Sequence, residues 1–260
     1  ATGNANVSPG AGVAADGSGE VTLNSGDVLQ VFSAGDFDNP NPTDLTGTRV
    51  TSDKPIQVIS GHQCTYIPYD EGACDHLEES MVPTESLSTS YVATAPLIQP
   101  EGEQAFAKER MVRVVATADD TTLTFDPVPS GAETELAEAG DYIEIGPTNL
   151  DFSIEASERV MVVEYMLGQF ADGGQSGDPA MALSPPTDQF RLNYLFHAPP
   201  SYETNYVNVV APEAATVTLD GEVVDGVTSI GESPLQIARI ELSNDGDGNH
   251  EISGDVPFGI

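Results

Sequence analysis

Two cysteines and two histidines form the densest group of metal-binding or redox-active side chains in this sequence. His62 and Cys64 are followed, after nine intervening residues, by Cys74 and His76. Side chains two residues apart on a β-strand share a face, so His62 and Cys64 could point together. Two thiolates and two imidazoles suit a tetrahedral zinc site, which is one interpretation. We favour a Cys64–Cys74 disulfide closing a short loop, and free thiols are a third alternative.

A second candidate site is an acidic segment in which oxygen-bearing side chains alternate with glycine. Its candidate calcium ligands are Asp245, Asp247, Asn249 and Glu251. Calcium takes several oxygen ligands from a loop that wraps around it, so calcium binding is one hypothesis, although the full EF-hand pattern is missing. The alternative is a solvated hairpin turn, because Asp-Gly and Asn-rich pairs favour tight turns. We predict no required cofactor.

β-Strands are the elements that must position these residues. Runs rich in Val, Ile, Thr and Tyr alternate with clusters of Gly, Pro, Asn and Asp, at a spacing typical of β-sandwiches. Val112 and Val114 point one way and Arg113 the other, which indicates a half-buried strand. Helical character is indicated only for residues 74–81, where Pro83 would end it. The sequence predicts an all-β fold of tandem antiparallel β-sandwiches, Ig-like or jelly-roll-like.

Internal repeats indicate the domain organisation. Residues 82–96 align without a gap to residues 185–199, and residues 51–61 match residues 156–168. Residues 253–260 begin the same element again, so we expect a third copy that is incomplete at its C-terminal strand. A chain that continues past residue 260 is one explanation of the unpaired edge, and completion by a partner strand is the alternative. The predicted β-sandwich repeats are residues 1–88, which contain the cysteine loop, 89–187 and 188–260.

The chain is strongly acidic. It has eight Lys and Arg against 42 Asp and Glu, a formal net charge of −34. Phosphate-backbone binding needs clustered cations, so nucleic acid is excluded as a principal partner. Adaptation to salt and the ordinary acidity of a secreted protein both explain this charge. No apolar run approaches a transmembrane length, and we expect that a signal peptide, absent from this chain, has been removed.

Sequence motifs for catalysis are absent. There is no GxSxG, HExxH or phosphate-binding loop. Carboxylates are so abundant that their presence does not indicate acid–base chemistry. We therefore predict that the protein is not an enzyme.

Several motifs together resemble the amino-terminal domain family of IgG Fc-binding proteins, which includes bacterial-type secreted and surface relatives. The motif residues are Asp44, Thr46, Gly47, His62, Asp75, His76, Asp178 and Pro179. The resemblance covers roughly residues 20–260 and implies an extracellular, β-rich, non-catalytic module. It does not carry Fc binding to this chain, because no Fc-contacting residue is defined by these motifs.

The segment around Asp178 also resembles the Gly-Asp-Pro-His site at which von Willebrand type D modules, companions in this family, cleave themselves. Ala180 stands where that site has histidine. We therefore predict no autoproteolysis at this position.

We predict a non-catalytic extracellular or cell-surface protein acting in adhesion, matrix formation, or filament and self-assembly. Its predicted partners are surface or matrix proteins or further copies of itself. The alternative is a ligand-binding module for immunoglobulin Fc or glycan, with loop tyrosines stacking on sugars. The tyrosines considered are Tyr66, Tyr69 and Tyr202.

Overall fold

The structure is a computed structural model that describes residues 7–34, 44–69, 71–99, 104–171 and 177–260. Within these ranges the regular elements are antiparallel β-strands, with 3-10 turns at Thr84–Ser86 and Thr187–Gln189. The all-β prediction is confirmed. The strands are β1 (Val58–Thr65), β2 (Asp75–Met81), β3 (Ser88–Ala93), β4 (Leu97–Ile98), β5 (Phe106–Ala107), β6 (Arg110–Ala116), β7 (Thr121–Asp126), β8 (Glu135–Leu136), β9 (Tyr142–Thr148), β10 (Phe152–Met166), β11 (Ala180–Leu183), β12 (Arg191–His197), β13 (Asn205–Pro212), β14 (Val217–Leu219), β15 (Glu222–Val223), β16 (Thr228–Ser229), β17 (Leu235–Leu242) and β18 (Asn249–Phe258).

Residues 84–183 are organised by the long strand β10, and we call this part of the chain the central sandwich after its predicted architecture. The first part of β10 pairs with β3 and β7, and its second part pairs with β6 and β11. The register shifts between Glu155 and Val160, where β10 passes from one layer to the other. β8 extends the first layer and β9 the second. The side chains buried between the layers include Tyr91, Val112, Val114, Phe125, Phe152, Ile154 and Val162.

The C-terminal sandwich, residues 187–260, has the same pairing pattern. β18 pairs with β12 and β14, as the first part of β10 pairs with β3 and β7. β13 pairs with β17, as β6 pairs with β9. Beyond β18, Gly259 exchanges two backbone hydrogen bonds of 2.8 and 2.9 Å with Val210 of β13. The side chains buried in this core include Val207, Val209, Val217, Ala238, Ile252 and Phe258.

The described part of residues 1–88 contains the β1–β2 hairpin. Residues 7–57 contribute isolated bridges rather than strands where they are described. The helical expectation for residues 74–81 is wrong, because this segment is β2. Its Leu77 is buried and lies opposite His62 in the antiparallel ladder. A helix over these residues would have too narrow an apolar face to pack stably against the rest of the protein. The three-copy organisation stays a prediction.

A tyrosine of each repeated Pro-Thr element joins the start of a sandwich to its long strand. The Tyr91 hydroxyl accepts a hydrogen bond from the backbone N–H three residues earlier at 3.0 Å and donates to the Val160 carbonyl at 2.7 Å. The Tyr194 hydroxyl accepts the corresponding bond at 3.0 Å and donates to the Phe258 carbonyl at 2.6 Å. The repeated sequence element therefore has one structural role in both sandwiches.

The two sandwiches contact each other through apolar and ionic side chains. Val92 of β3 lies in an apolar cluster whose other members belong to the C-terminal sandwich. Beside it, the Arg239 guanidinium pairs with Asp151 at 2.5 Å and donates to the Ala95 carbonyl at 3.1 Å. These contacts fix the C-terminal sandwich against the end of β3.

Candidate functional site

Arg113 of β6 is the point at which residues 44–46 attach to the central sandwich. One Nη atom lies 2.8 Å from Asp44 Oδ2 and donates to the Thr46 hydroxyl at 2.6 Å. The other Nη atom lies 2.6 Å from Glu144 Oε2 on β9. Tyr142 and Tyr165 flank the guanidinium, with ring centroids 4.4 and 5.4 Å from its carbon. We call these six residues the Arg113 cluster.

The Asp-Leu-Thr-Gly-Thr motif has a local shape that suits this contact. The Thr46 backbone N–H donates to Asp44 Oδ1 at 2.8 Å, which leaves the other carboxylate oxygen for Arg113. Gly47 follows with φ +79°, in the left-handed region that glycine adopts without strain. The motif residues Asp44, Thr46 and Gly47 therefore form a turn that presents acceptors to a cation.

Charge and burial act in opposite directions in the Arg113 cluster. Burial alone would raise the pKa of Asp44, but the charge of Arg113 and the hydrogen bonds from Thr46 outweigh burial and lower that pKa. Burial raises the pKa of the Tyr142 and Tyr165 hydroxyls, which stay neutral at physiological pH. The cluster is a closed ion pair with cation–π contacts, and it holds an irregular segment on a sheet.

Cys64 and Cys74 form a disulfide between the adjacent ends of β1 and β2, with their Cα atoms 5.1 Å apart. The bond lies where the β1–β2 register shifts, between His62 and Thr65. The loop that it closes contacts the central sandwich, because the Ile67 carbonyl accepts a hydrogen bond from the Gly168 N–H at 2.8 Å. The disulfide thus stabilises a hairpin that is itself anchored beyond β10.

The zinc interpretation of the cysteine loop is wrong, because both sulfurs are bonded to each other. His62 Nδ1 accepts a hydrogen bond from the Cys64 N–H at 3.1 Å, and His76 Nε2 lies 3.2 Å from Glu78. Asp75 accepts a bond from the His76 N–H at 2.7 Å. Each of these motif residues therefore serves the local geometry of the hairpin.

Of the proposed calcium ligands, Asp245 and Asp247 lie on the turn between β17 and β18, and Asn249 and Glu251 lie at the start of β18. Asp247 accepts a hydrogen bond from the Asn249 N–H at 3.1 Å, and Asn249 contacts His197 at 3.2 Å. The N–H groups of Asp245 and Glu251 donate to Ser243 and Asp220. In the ranges that the structure describes, no three His, Cys, Asp or Glu side chains are grouped to hold a metal ion. Asp245 and Asp247 thus take part in the hairpin turn, and calcium binding by these residues stays a prediction.

Asp178 and Pro179 precede β11, where Asp178 is exposed and Pro179 is buried. Gly177 before them has φ +93°, and a Cβ on it would lie 2.7 Å from Nζ of the buried Lys108. A glycine is therefore required where the chain passes this ammonium group. Of the loop tyrosines, Tyr66 and Tyr69 lie in the cysteine loop, where Tyr69 is 53% exposed, and Tyr202 is 64% exposed between β12 and β13.

Sequence reasoning missed that four of the eight cations are buried or largely shielded from solvent by structural contacts. Lys108 and Arg110 are each 1% exposed, and Arg113 and Arg239 are engaged in the contacts described above. Arg110 pairs with Glu164 at 2.8 Å and donates to two backbone carbonyls at 3.0 Å. The available signal was the scarcity of basic residues. In so acidic a chain, a lysine or arginine that is present is expected to have a structural role.

Sequence reasoning also missed the buried His250. Its Nδ1 lies 2.7 Å from Asp220, its ring stacks on Phe196, and its Nε2 has no hydrogen-bond partner within the described chain. His250 occupies the position that Phe152 has in the central sandwich. The imidazole therefore replaces a core aromatic ring.

The fold, the disulfide and the Arg113 cluster define an all-β module whose charged residues hold segments together. A family model described as IgGFc binding protein matches residues 2–260, and the chain belongs to this family. The chain is 26% identical over 247 residues to the Homo sapiens protein named IgGFc-binding protein, an alignment that covers 90% of this chain and 4% of the human protein. The resemblance noted from the motifs is confirmed.

No solved structure matches the chain. Among the described residues, no helix has the length and apolar character needed to cross a membrane.

Proposed function

We propose that this chain is a non-catalytic extracellular or cell-surface module that acts in adhesion, matrix formation or self-assembly. The observation that carries this proposal is the use of its ionic residues. Arg113 binds residues 44–46 to the central sandwich, and Arg239 binds the central to the C-terminal sandwich. Charged side chains that an enzyme would place in a cleft here connect one structural unit to the next.

The three-repeat organisation is part of this proposal. The shared pairing pattern of the central and C-terminal sandwiches supports two repeats. The β1–β2 hairpin resembles the β10–β11 hairpin, since residues 51–61 match residues 156–168 and both hairpins precede a Pro-Thr 3-10 turn. On this basis residues 1–88 hold the end of a further repeat, and residues 89–187 and 188–260 hold the next two.

A sedimentation experiment tests the assembly function. The net charge of −34 makes copies repel each other at low ionic strength, and salt screens this repulsion. We expect sedimentation velocity to show monomers in dilute buffer and larger species at high NaCl. Monomers at every salt and protein concentration would contradict assembly.

Immunoglobulin binding is a second candidate, favoured by the name of the human relative. That alignment covers 90% of this chain but only 4% of the human protein. Biolayer interferometry of the chain against immobilised IgG Fc, with Fab as control, decides this candidate. Binding to Fc alone would support it, and equal signals on Fc and Fab would contradict it.

A further inference from the structure

A polar cleft of about 470 Å³ lies where the C-terminal sandwich begins against the central sandwich. Its lining comes from three separate parts of the chain: residues 85–89, at the first 3-10 turn and the start of β3, Arg159 of β10, and residues 188–189 of the second 3-10 turn. Small-molecule sites in proteins have volumes of about 300–1,000 Å³. The cleft is therefore large enough for a small ligand.

Hydrogen bonds between the two sandwiches fix the lining of this cleft. The Ser88 hydroxyl donates to Asp188 Oδ2 at 2.8 Å, and the Gln189 side-chain amide donates to the Ser86 carbonyl at 2.6 Å. Both bonds join residues 85–89 to residues 188–189, so these parts of the lining are held together before a ligand arrives. A pre-formed site loses less conformational entropy on binding than one that must be ordered.

Charged groups in the cleft are left free for a ligand. Neither the Arg159 guanidinium nor the Glu85 carboxylate has an ion-pair partner among the described residues, although three of the other five arginines bind carboxylates. Asp188 accepts the Ser88 hydrogen bond with Oδ2, and its Oδ1 accepts none from the described chain. A guanidinium and two carboxylates thus line one cleft without neutralising each other.

The fold itself does not require these polar groups. The positions that correspond to Ser88, Thr89 and Arg159 carry different residues in the C-terminal sandwich. They are Arg191, Leu192 and Pro257. Arg159 lies where the register of β10 shifts, an irregularity of the kind that re-aims a side chain. The polar lining therefore has a reason other than the stability of the fold.

We infer that this cleft binds a neutral glycan. The inference rests on the adhesion function proposed above and names its ligand class. A hydroxyl both donates and accepts hydrogen bonds. Neighbouring sugar hydroxyls therefore donate to the carboxylates of Glu85 and Asp188 and accept from the Arg159 guanidinium. Leu87 of the lining supplies an apolar contact for the C–H groups of the sugar ring.

Charge selects a neutral ligand over an ionic one. An anionic ligand would meet the two carboxylates of the cleft and a molecule of net charge −34. A cationic ligand would meet Arg159, which no carboxylate of the described chain neutralises. A neutral polyhydroxyl ligand avoids both repulsions and uses the donors and the acceptors of the cleft together.

A glycan array tests the ligand class. The full chain is applied at physiological salt to immobilised neutral oligosaccharides and to their sialylated forms. We expect saturable binding to a neutral glycan and weaker binding to its sialylated form, because sialylation adds a carboxylate. Binding to no glycan of the array, or stronger binding to the sialylated forms, would overturn the inference.

Isothermal titration calorimetry with the tightest-binding neutral glycan of the array tests the site. Arg159→Ala should weaken binding about tenfold, because a hydrogen bond to a charged group is lost. Arg191→Ala is the matched control, since Arg191 is also exposed but lies at the corresponding position of the C-terminal sandwich, outside the cleft. It should leave the affinity unchanged. Equal weakening by both variants would overturn the inference.

A second pair of variants tests the acceptors of the cleft and separates this inference from the proposed function. Glu85→Gln should weaken glycan binding, whereas Glu158→Gln, an exposed residue next to Arg159 but outside the lining, should not. Glycan binding that neither Arg159→Ala nor Glu85→Gln weakens would overturn the cleft as its site and leave the adhesion function standing. Absence of glycan binding with salt-dependent assembly intact would likewise overturn only the inference. Absence of both would contradict the inference and the proposed function.

Discussion

The central and C-terminal sandwiches pair their strands in the same way. They differ in the strand that carries the arginine bound to a preceding part of the chain. In the central sandwich, Arg113 of β6 lies opposite Glu144 and binds Asp44. At the corresponding positions of the C-terminal sandwich, Asn208 of β13 lies opposite Arg239, which binds Asp151. In both cases a guanidinium on the outer face of the sheet binds a carboxylate from the preceding part of the chain. The interaction is thus retained while its position changes.

The two sandwiches also differ at the first position of β6 and β13, where the central sandwich has the buried Arg110 and the C-terminal sandwich has Asn205. Arg110→Ala should destabilise the chain by about 3–5 kcal/mol, because it leaves Glu164 without its cation. Asn205→Ala removes neutral hydrogen bonds only and should cost about 1 kcal/mol. Urea unfolding followed by circular dichroism measures both. Equal losses of unfolding free energy for the two variants would show that the buried charge of Arg110 does not cause the larger destabilisation.

The hairpins provide a second comparison, since β1–β2 carries the disulfide and β10–β11 does not. Replacing Cys64 and Cys74 with serine should destabilise β1–β2 by about 2–3 kcal/mol, because a short closed loop becomes free in the unfolded state. Hydrogen exchange should show faster opening of β1 and β2. Exchange in β10 and β11 is the internal control, and acceleration there as well would contradict a local effect.

The two tyrosines should differ in proportion to their burial. Tyr91 is 1% exposed, so Tyr91→Phe leaves the Val160 carbonyl without its donor in the core and should cost about 1–2 kcal/mol. Tyr194 is only half-buried, so Tyr194→Phe should cost less, because water replaces part of its bonding. Thermal unfolding monitors both variants. A larger loss of stability for Tyr194→Phe than for Tyr91→Phe would contradict this expectation.

The smallest expected effect is the pH dependence of the Arg113 cluster. The folded-state pKa of Asp44 is lowered, so its stabilisation is complete above the unfolded pKa of about 3.9 and is lost as pH falls through the folded value. Asp44→Asn should cost about 1 kcal/mol at neutral pH and approach the wild type in acid. In an Arg113→Ala background this convergence should shrink. An undiminished pH effect there would exclude Arg113 as its main cause.

The strand content was predictable because runs rich in Val, Ile and Thr favour strands. The half-buried expectation for β6 was wrong, because Met111 and Val115, on the same face as Arg113, are buried as well. The Pro-Thr-Tyr repeat was recognisable because the Tyr91 and Tyr194 hydroxyls perform the same bonding, which requires the same residue. The helical expectation for residues 74–81 failed because strand pairing with β1, a non-local contact, overrides local propensity.

The candidate site was less predictable. The motif identified Asp44 and Thr46, but their partner Arg113 lies far along the chain, and no local pattern connects them. Residues 245–251 have the composition of a cation site, but composition does not determine which oxygens converge, so calcium binding there stays a prediction. Convergence depends on the loop conformation, and here glycines at positions 246 and 248 with positive φ form a turn.

Structural contacts engage Lys108, Arg110, Arg113 and Arg239, which leaves four other cations in a chain with 42 Asp and Glu. The net charge of −34 is carried by carboxylates, so mobile counterions accumulate around the molecule. Diluting those ions lengthens the range over which neighbouring carboxylates repel each other, from about 8 Å at physiological ionic strength to about 30 Å at 0.01 M. The ionic strength of the solution therefore sets the distance over which the carboxylates of this protein repel each other, and desalting increases that distance.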